Sequence, residues 1–487
     1  MLCDRFDMEP RNTNPTLQTK RTFTDRALSR VAGASLIEGN QVRLLRDAAE
    51  NYPAWLEAIG RAKRYVHLET FIFHDDETGR EFANLLAAKV RDGVRVRIIY
   101  DWLGGLASAS WRFWAGLRNA GVDVRCFNPP RFDSPLGWLV RDHRKMVAVD
   151  GSVGFIAGLC IGKMWVGDSK KGLAPWRDTG VELRGPAVAE IERAFAQVWR
   201  QLGEALPDDE LFPVDKEMAG TTDVRIVATM PSTAGMIRTD QFIAALARER
   251  LWISDAYYAA TPSYMQALRS AARDGVDVRL LVPNSTDLPL FRPLSRAGYR
   301  SLLEAGVRVF EWNGTMMHAK TAVADGFWAR VGSTNLNLAS WFGNCELDAI
   351  IEDEDFAHQM EEMYLDDLNN STEIVLDSSR KVRVSEGTRR RRRGPKSGGG
   401  RTRRAVAGAV RLGNVVGAAF TSHRVLGPVE ARLMVAGGLL MLGLALAFGL
   451  FPGVLVYPII VLSLWMAAAL LYRGYRLHRR KKRIGED

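Results

Sequence analysis

The sequence has few cysteines, and their spacing suits neither a metal site nor a disulfide framework. The four are Cys3, Cys126, Cys160 and Cys345, and no two of them form a Cys-x-x-Cys pair. A structural zinc site or a disulfide-stabilised secreted domain is therefore not expected, and free thiols in a reducing compartment are predicted. The first 26 residues contain no apolar core segment, so a cleaved signal peptide is not expected either.

Most of the chain lacks a net positive charge, although its 487 residues together carry a formal net charge of +10. Residues 380–404 carry +11, residues 405–472 carry +2 and residues 473–487 carry +5, so residues 1–379 carry −8. An acidic body argues against nucleic acid as the partner, whereas the basic segments predict contact with an anionic membrane surface. With 47% hydrophobic residues, the chain has room for two or three folded domains.

One long segment has no charge at all. Residues 433–472 contain no Asp, Glu, Lys or Arg, and Phe451-Pro452-Gly453 divides them into two stretches of about 19 residues. Each stretch is close to the roughly 20 residues that span a bilayer as a helix. These features predict a transmembrane helical hairpin over residues 431–473. Basic residues at both of its ends place the body on the cytoplasmic side.

Histidine is also scarce, and two of the seven histidines occupy matching positions in repeated stretches. Residues 141–150 read RDHRKMVAVD and residues 317–325 read MHAKTAVAD, so both contain His-x-Lys-x-x-x-x-Asp. Each stretch is apolar enough to be a strand, in which residues i and i+2 share a face. Each Asp precedes Gly and a second apolar run, which predicts a strand, an Asp-Gly turn and a strand. Each His and Lys would then point into one pocket.

The paired stretches suit phosphoryl chemistry. An imidazole can attack phosphorus to give a phosphohistidine, and a second, protonated imidazole can donate to the leaving oxygen. Two lysines can hold the charge on the phosphate oxygens, so neither a metal nor a cofactor is expected. The predicted catalytic residues are His143, Lys145, Asp150, His318, Lys320 and Asp325.

The rest of the chain indicates an internal duplication of about 180 residues. Strand and helix patterns alternate from residue 39 onward, which predicts α/β layers with a largely parallel sheet, and Pro53 suits the first turn of the first helix. Asp92-Gly93 and Asp274-Gly275 are each followed by a strand pattern and an Ala-Gly pair at similar spacing. The predicted divisions are a polar lead-in over 1–34, two halves over 35–210 and 211–377, a basic flexible linker over 378–430, the hairpin over 431–473 and a basic tail over 474–487.

These motifs resemble the phospholipase D superfamily, and in particular its bacterial cardiolipin synthase branch. The resemblance covers about residues 35–370 and includes Leu68-Glu69-Thr70-Phe71 and Gly332-Ser333-Thr334-Asn335. It implies two α/β/α halves about a pseudo-twofold axis, with both motifs in one cleft. The family's usual N-terminal membrane helices are absent from this sequence, and the C-terminal hairpin is expected to replace them.

The resemblance also implies roles for individual residues. His143 and His318 would be nucleophile and general acid, with His143 favoured as the nucleophile. Ser333 and Asn335 would bind phosphate. Glu346 would orient His318, and Asp178 would orient His143. Asp150 and Asp325 could be either catalytic or structural. Cys160 stands where the family has a phosphate-binding Asn, which would weaken phosphate binding in the first half.

The function that the resemblance implies is phosphatidyl transfer. One phosphatidylglycerol would donate its phosphatidyl group through phosphohistidine to a second, giving cardiolipin and glycerol at the bacterial inner membrane. The alternatives are a phospholipase D hydrolase, transfer from another phospholipid donor, a nuclease of the same superfamily and an inactive membrane scaffold. Nucleic acid is disfavoured by the acidic body, and the scaffold by two intact motifs. The oligomeric state stays open.

Overall fold

The computed structural model describes residues 25–376, except 131–138, 211–216, 232 and 289–290, together with 382–384 and a few residues between 442 and 472. Its first half alternates strands with helices, as the sequence predicts. Helix α1 covers residues 25–32. The elements that follow are β1 (Ile37–Arg46), α2 (Asp47–Arg61), β2 (Tyr65–Thr70), α3 (Glu77–Arg91), β3 (Arg95–Asp101), α4 (Trp102–Gly105), α5 (Trp111–Asn119), β4 (Asp123–Phe127), β5 (Arg141–Asp142), β6 (Met146–Val149), β7 (Val153–Ala157), α6 (Lys163–Val166), β8 (Thr179–Arg184) and α7 (Val188–Gln201).

The second half repeats this order. A π-helical turn, Ala339–Gly343, precedes its longest strand. The elements are β9 (Thr222–Thr229), α8 (Gly235–Leu246), β10 (Arg250–Ser254), α9 (Pro262–Arg273), β11 (Asp277–Pro283), α10 (Phe291–Ala297), α11 (Tyr299–Leu303), β12 (Arg308–Trp312), β13 (Thr321–Ala324), β14 (Trp328–Gly332), β15 (Asn344–Glu352), α12 (Glu354–Asn369), β16 (Ser371–Leu376) and β17 (Val382–Val384).

Each half contains a mixed sheet. The order is β1-β8-β7-β6-β2-β3-β4 in the first half. It is β9-β15-β14-β13-β10-β11-β12-β16-β17 in the second, and β1 also pairs with β9. Strands β2-β3-β4 and β10-β11-β12 are parallel, whereas their neighbours in these sheets are antiparallel. The predicted largely parallel sheet was therefore wrong, because the motif hairpins and the strands after them enter each sheet antiparallel.

The two halves share a core. One apolar cluster contains Phe195 and Trp199 of α7 together with Leu347 and Ile351 of β15. The fully buried Arg144 donates hydrogen bonds to carbonyl oxygens on both sides of this join: Ala194 at 2.7 Å in the first half, and Thr229 at 3.0 Å and Glu346 at 3.2 Å in the second. Shared apolar packing and a shared buried cation fix the sheet edges of the two halves against each other.

Both motif hairpins turn at Asp-Gly, as predicted. Asp150 and Gly151 have φ values of 53° and 66°, and Asp325 and Gly326 have values of 50° and 64°. Two successive residues with positive φ form the turn that matches the twist of a hairpin. The strands begin later than expected, however, at Met146 and Thr321. The histidines and lysines therefore lie in the segments just before these strands and not on them.

The lead-in predicted over residues 1–34 was too long. Leu28 and Ala32 of α1 are buried in the core of the second half beside Val227. Arg225 of β9 donates to the hydroxyl of Ser29 at 2.6 Å, which ties α1 to the second sheet. Residues 25–32 thus belong to the folded body.

Helix α2 also begins earlier than the start at Tyr52 that the pattern around Pro53 predicts. It starts at Asp47, so Pro53 lies inside the helix and not in its first turn. The proline ring has no N–H to donate to the preceding turn, and packing of Tyr52 and Trp55 in the core maintains the helix around it.

The described part of the chain contains no helix with both the length and the apolar character needed to cross a bilayer. The hairpin predicted over residues 431–473 lies mostly outside the described residues. The tail predicted over 474–487 lies wholly outside them, as does the linker predicted over 378–430 apart from residues 382–384.

Candidate active site

The two motif histidines each contact a buried carboxylate of the opposite half. Nδ1 of His143 lies 2.9 Å from Oε2 and 3.1 Å from Oε1 of Glu346. Nδ1 of His318 lies 2.7 Å from Oδ2 of Asp178. The predicted pairing, Glu346 with His318 and Asp178 with His143, was wrong. Each pair joins the two halves.

The backbone explains why the pairs cross. Asp142, just before His143, pairs in parallel with Cys345, just before Glu346. In the same way, Met317 before His318 pairs with Arg177 before Asp178. The backbone N–H groups of the histidines complete these contacts. That of His143 donates to the carbonyl oxygen of Cys345 at 2.9 Å, and that of His318 donates to the carbonyl oxygen of Arg177 at 2.7 Å. Each carboxylate therefore reaches the histidine of the other half.

Additional donors hold both carboxylates in place. The Ser333 hydroxyl donates to Oε2 of Glu346 at 2.6 Å, and the Asn344 amide donates to Oε1 at 3.1 Å. The Trp165 indole N–H donates to Oδ2 of Asp178 at 3.0 Å. An ionised carboxylate only accepts hydrogen bonds, so each carboxylate places the imidazole proton on Nδ1 and the lone pair of the ring on Nε2.

Burial and the nearby lysines set the protonation of the His318 pair. Burial alone would raise the pKa of Asp178, but His318 and Lys320 outweigh it and lower that pKa below its usual value. Burial, followed by the charge of Lys320, lowers the pKa of His318 to about 4 despite the attraction of Asp178. An ion pair would raise the histidine pKa. The resting pair is therefore a carboxylate hydrogen-bonded to a neutral imidazole.

The motif lysines are buried beside the histidines. Lys145 Nζ donates to the carbonyl oxygen of His143, and Lys320 Nζ donates to that of His318. Burial lowers the pKa of both lysines. The positive charge of Lys145 also lowers the pKa values of His318 and Lys320, so a charge in the first motif affects protonation in the second. An anionic phosphate between the motifs would meet both cations.

The motif aspartates lie away from the histidines. Asp150 accepts hydrogen bonds from the backbone N–H groups of Lys63, Arg64 and Tyr65, at 2.7–2.8 Å. Asp325 accepts three equivalent bonds from residues 248–250, each at 2.9 Å. The four residues of β6, Met146–Val149, separate Asp150 from Lys145, and a strand rises about 3.3 Å per residue. Of the two roles considered for these aspartates, their contacts indicate the structural one.

The predicted phosphate-binding residues behave differently from each other. The Ser333 hydroxyl donates to Glu346 and accepts from the Leu347 N–H at 2.9 Å, so it supports the carboxylate and its role as a direct phosphate ligand is not supported. Asn335 donates to Ser340 at 3.4 Å, and its buried Oδ1 has no hydrogen-bond partner within the described residues. Its predicted role in phosphate binding stays a prediction.

The first half departs from the second at the corresponding positions. Cys160 is buried, and its carbonyl accepts a hydrogen bond from Tyr52 at 2.6 Å. Gly158 occupies the place of Ser333, and a Cβ there would lie 2.1 Å from Oδ1 of Asp178. The first half thus leaves space for Asp178 at the position where the second half supplies a hydroxyl to Glu346.

Several residues of the site were not among the predicted site residues. Phe71 packs edge-on at 5.1 Å from the His143 ring, while Trp165 and Tyr257 pack edge-on at 5.6 and 5.9 Å from the His318 ring. Arg177 donates to Asp367 at 2.7 Å and to Asp47 at 3.1 Å, which fixes the segment before Asp178. The sequence signals for these residues were the family-like stretch that contains Phe71 and the adjacency of Arg177 to Asp178, and neither predicted the contacts.

Comparison with known proteins identifies the family. A family model described as the cardiolipin synthase, phospholipase D-like domain matches residues 55–199 and 243–368. Cardiolipin synthase A of Pseudomonas fluorescens (strain SBW25) is 34% identical over 369 residues, which cover 74% of each chain. The chain belongs to the cardiolipin synthase family of phospholipase D-like proteins.

Other comparisons agree with this family. The cardiolipin synthase of Alkalihalophilus pseudofirmus is 33% identical over 347 residues, which cover 69% of this chain and 67% of that protein. The crystal structure of a phosphatidylserine synthase from Haemophilus influenzae superposes with a TM-score of 0.57 at 14% identity, covering 72% of this chain and 92% of that one. The second similarity concerns the fold alone. That solved structure therefore shares the mixed α/β fold of this chain.

Proposed function

We propose that this protein is a phosphatidyltransferase that makes cardiolipin from two molecules of phosphatidylglycerol and releases glycerol. The observation that carries the proposal is the pair of crossed histidine–carboxylate contacts, His143–Glu346 and His318–Asp178. Two imidazoles, each oriented by a carboxylate at Nδ1, can supply a nucleophile and an acid where the two halves meet. Membership of the cardiolipin synthase family supports the choice of substrate.

The reaction proceeds in two displacements. Nε2 of one histidine attacks the phosphorus of the first phosphatidylglycerol, and the bond from phosphorus to the head-group oxygen breaks. The second histidine, protonated, gives its proton to that oxygen, and glycerol leaves. The same imidazole then takes a proton from a hydroxyl of the second phosphatidylglycerol. The resulting oxygen nucleophile attacks phosphorus, breaks the phosphorus–nitrogen bond and yields cardiolipin.

The carboxylates and lysines have distinct roles in this proposal. Glu346 and Asp178 orient the imidazoles and stabilise each one when it carries positive charge. Lys145 and Lys320 bind the non-bridging phosphate oxygens, whose charge raises the lysine pKa values again. Asn335 offers a further donor, whereas Cys160 offers the first half a weaker one.

The order of the two histidines depends on their protonation. His318 is neutral at rest because burial lowers its pKa to about 4, which is the form that a nucleophile requires. If His143 attacks, as the sequence favours, His318 must gain a proton when the anionic phosphate binds. If His318 attacks, it is already in the required form. Trapping the covalent intermediate distinguishes these orders.

The membrane attachment is part of the proposal. Lifting a lipid acyl chain out of a bilayer costs about 0.8 kcal/mol of free energy for each methylene, so the site must work at the membrane surface. We infer that residues 431–473 span the inner membrane as a hairpin and that the basic linker and tail contact anionic lipid. The duplicated body, over residues 35–210 and 211–377, would then lie on the cytoplasmic side.

The test is lipid analysis of the full-length protein reconstituted with phosphatidylglycerol vesicles. Cardiolipin and glycerol should form in equal amounts with the wild type. Both should disappear in His143→Ala and in His318→Ala, whereas the exposed control His358→Ala should retain activity. Phosphatidic acid as the main product would show that the enzyme hydrolyses phosphatidylglycerol and does not transfer its phosphatidyl group. Cardiolipin formation that survives both active-site variants would refute the histidine mechanism.

A further inference from the structure

We propose that three exposed apolar side chains around the active-site mouth dock the protein on a lipid bilayer. These residues, the apolar rim, are Trp111, Val166 and Phe342, whose exposed fractions are 73%, 51% and 41%. The inference rests on the proposed function, which makes the substrate a lipid held in a bilayer. It adds the surface by which the catalytic body meets that bilayer.

The rim residues lie at the edge of the fold that carries the histidines. Trp111 begins α5, after the carboxyl end of β3, and Val166 ends α6, after the carboxyl end of β7. Phe342 lies in the π-helical turn between β14 and β15. His143 and His318 precede β6 and β13, which run antiparallel to β2 and β10, so all these connections meet at the same edge.

Val166 is tied to the His318 side of the site. It follows Trp165, which is buried, packs 5.6 Å from the His318 ring and donates to Asp178. The helix therefore directs one side chain into the site and the next into solvent. An exposed valine one residue from a side chain that contacts a catalytic histidine lies at the mouth.

Phe342 is tied to the His143 side. It precedes by two residues Asn344, whose amide donates to Glu346 and whose backbone pairs with Arg141. Arg141 forms a 3.1 Å ion pair with Asp101, which caps the helix leading towards Trp111. These contacts link the turn that contains Phe342 to the segment between β3 and α5 that leads to Trp111.

A bilayer fits this surface better than a protein partner of the same size. Trp111 lies beside a cation, since the Arg112 guanidinium is 5.6 Å from its indole ring. Tryptophan and arginine together suit the boundary between lipid head groups and acyl chains. Lys163 beside Val166 is already paired with Asp168 and Glu77, at 3.4 Å each, so apolar contact is the main attraction there. Docking by the rim would let the phosphate enter the cleft while both acyl chains remain in the bilayer.

Two of the exposed apolar residues elsewhere provide matched controls. Met218 is 71% exposed and packs against Gly39, near the start of β1 and far from the histidines. Phe327 is 36% exposed and follows the Asp325-Gly326 turn at the opposite sheet edge. The pair Met218 and Phe327 therefore matches Trp111 and Phe342 in exposure but not in location.

The experiment compares full-length Trp111→Ala/Phe342→Ala with full-length Met218→Ala/Phe327→Ala on two substrates. One substrate is long-chain phosphatidylglycerol in vesicles, and the other is a short-chain phosphatidylglycerol below its micelle concentration. We expect the rim variant to lose at least fivefold in rate on vesicles and less than twofold on the monomeric lipid. The control variant should keep both rates.

A second measurement does not depend on turnover. Vesicles of brominated phosphatidylglycerol should quench less tryptophan emission in Trp111→Phe than in the wild type. Equal quenching, an unchanged vesicle rate in the rim variant, or equal losses on both substrates would overturn the docking surface. If the wild type is a dimer and the rim variant is a monomer, the rim is a self-association surface and not a membrane-docking surface. A wild type inactive on both substrates would refute the proposed function and leave the quenching result to decide the docking.

Discussion

Glu346, on a strand of the second half, lies 2.9 Å from Nδ1 of His143 in the first half. Asp178 and His318 form the equivalent contact in the opposite direction at 2.7 Å. Neither half therefore contains a complete histidine–carboxylate pair. The active site exists only where the two halves meet, which explains why a fully buried arginine and a shared apolar core hold that join.

The first prediction concerns these carboxylates. Glu346→Gln and Asp178→Asn should each lower the kcat of phosphatidyl transfer by roughly 10²- to 10⁴-fold, because an amide neither fixes the imidazole tautomer nor stabilises its positive charge. The matched control is Glu192→Gln, since Glu192 is equally buried but contacts Tyr65 away from the site. Steady-state kinetics provide the measurement. Wild-type kcat in both active-site variants would show that the carboxylates only support the fold.

Glycine 158 provides a second prediction. Gly158→Ala places a methyl group 2.1 Å from Oδ1 of Asp178, so Asp178 must move and its contact with His318 should weaken. We expect at least a tenfold loss of kcat. Gly60→Ala is the control, because a Cβ there meets nothing within 4 Å and alanine favours the helix. Equal activity of the two variants would contradict the tight fit at Asp178.

A third prediction separates stability from chemistry at the motif aspartates. Asp150→Ala removes the acceptor of three backbone N–H groups and places alanine at φ 53°, so the free energy of unfolding should fall by about 2–4 kcal/mol. The kcat of the protein that remains folded should change less than threefold. Denaturant unfolding and active-site titration measure the two effects. A lower kcat at unchanged stability would indicate that Asp150 is catalytic.

The fourth prediction is a pH dependence of stability. His318 has a pKa of about 4 in the folded state and an ordinary value near 6.5 when unfolded, so between these values the unfolded chain binds more protons. Stability should therefore decrease as pH falls from 6.5 towards 4, by up to about 3 kcal/mol from this group. His318→Asn should reduce that slope in denaturant unfolding at pH 7.0 and 4.5. An unchanged slope would contradict a neutral, buried His318.

The sequence was sufficient for features that depend on neighbouring residues. The Asp-Gly turns could be predicted from the conformational preferences of two adjacent residues. The two motifs could be recognised from their repeated spacing. Glu346 and Asp178 each contact a motif histidine, but the pairing is the reverse of the one that the sequence predicted.

The features that sequence could not supply depend on contacts between distant segments. Which histidine meets Glu346 depends on the pairing of Asp142 with Cys345, and no local pattern records that register. The hydroxyl of Ser333 could face either phosphate or Glu346, and only its surroundings decide. Trp165 lies in a connection without a motif, so its contact with Asp178 had no sequence signal.

The central claim is that one histidine becomes covalently phosphorylated while the other acts only as an acid and base. The direct test is to mix His143→Ala and His318→Ala separately with a phosphatidyl ester that carries a phosphorus label and a p-nitrophenol leaving group. This leaving group needs no proton, so the variant that keeps the nucleophile should trap an acid-labile, alkali-stable phosphohistidine. We expect one variant to become labelled and the other to remain unlabelled. Label in neither variant, or in both equally, would contradict the account.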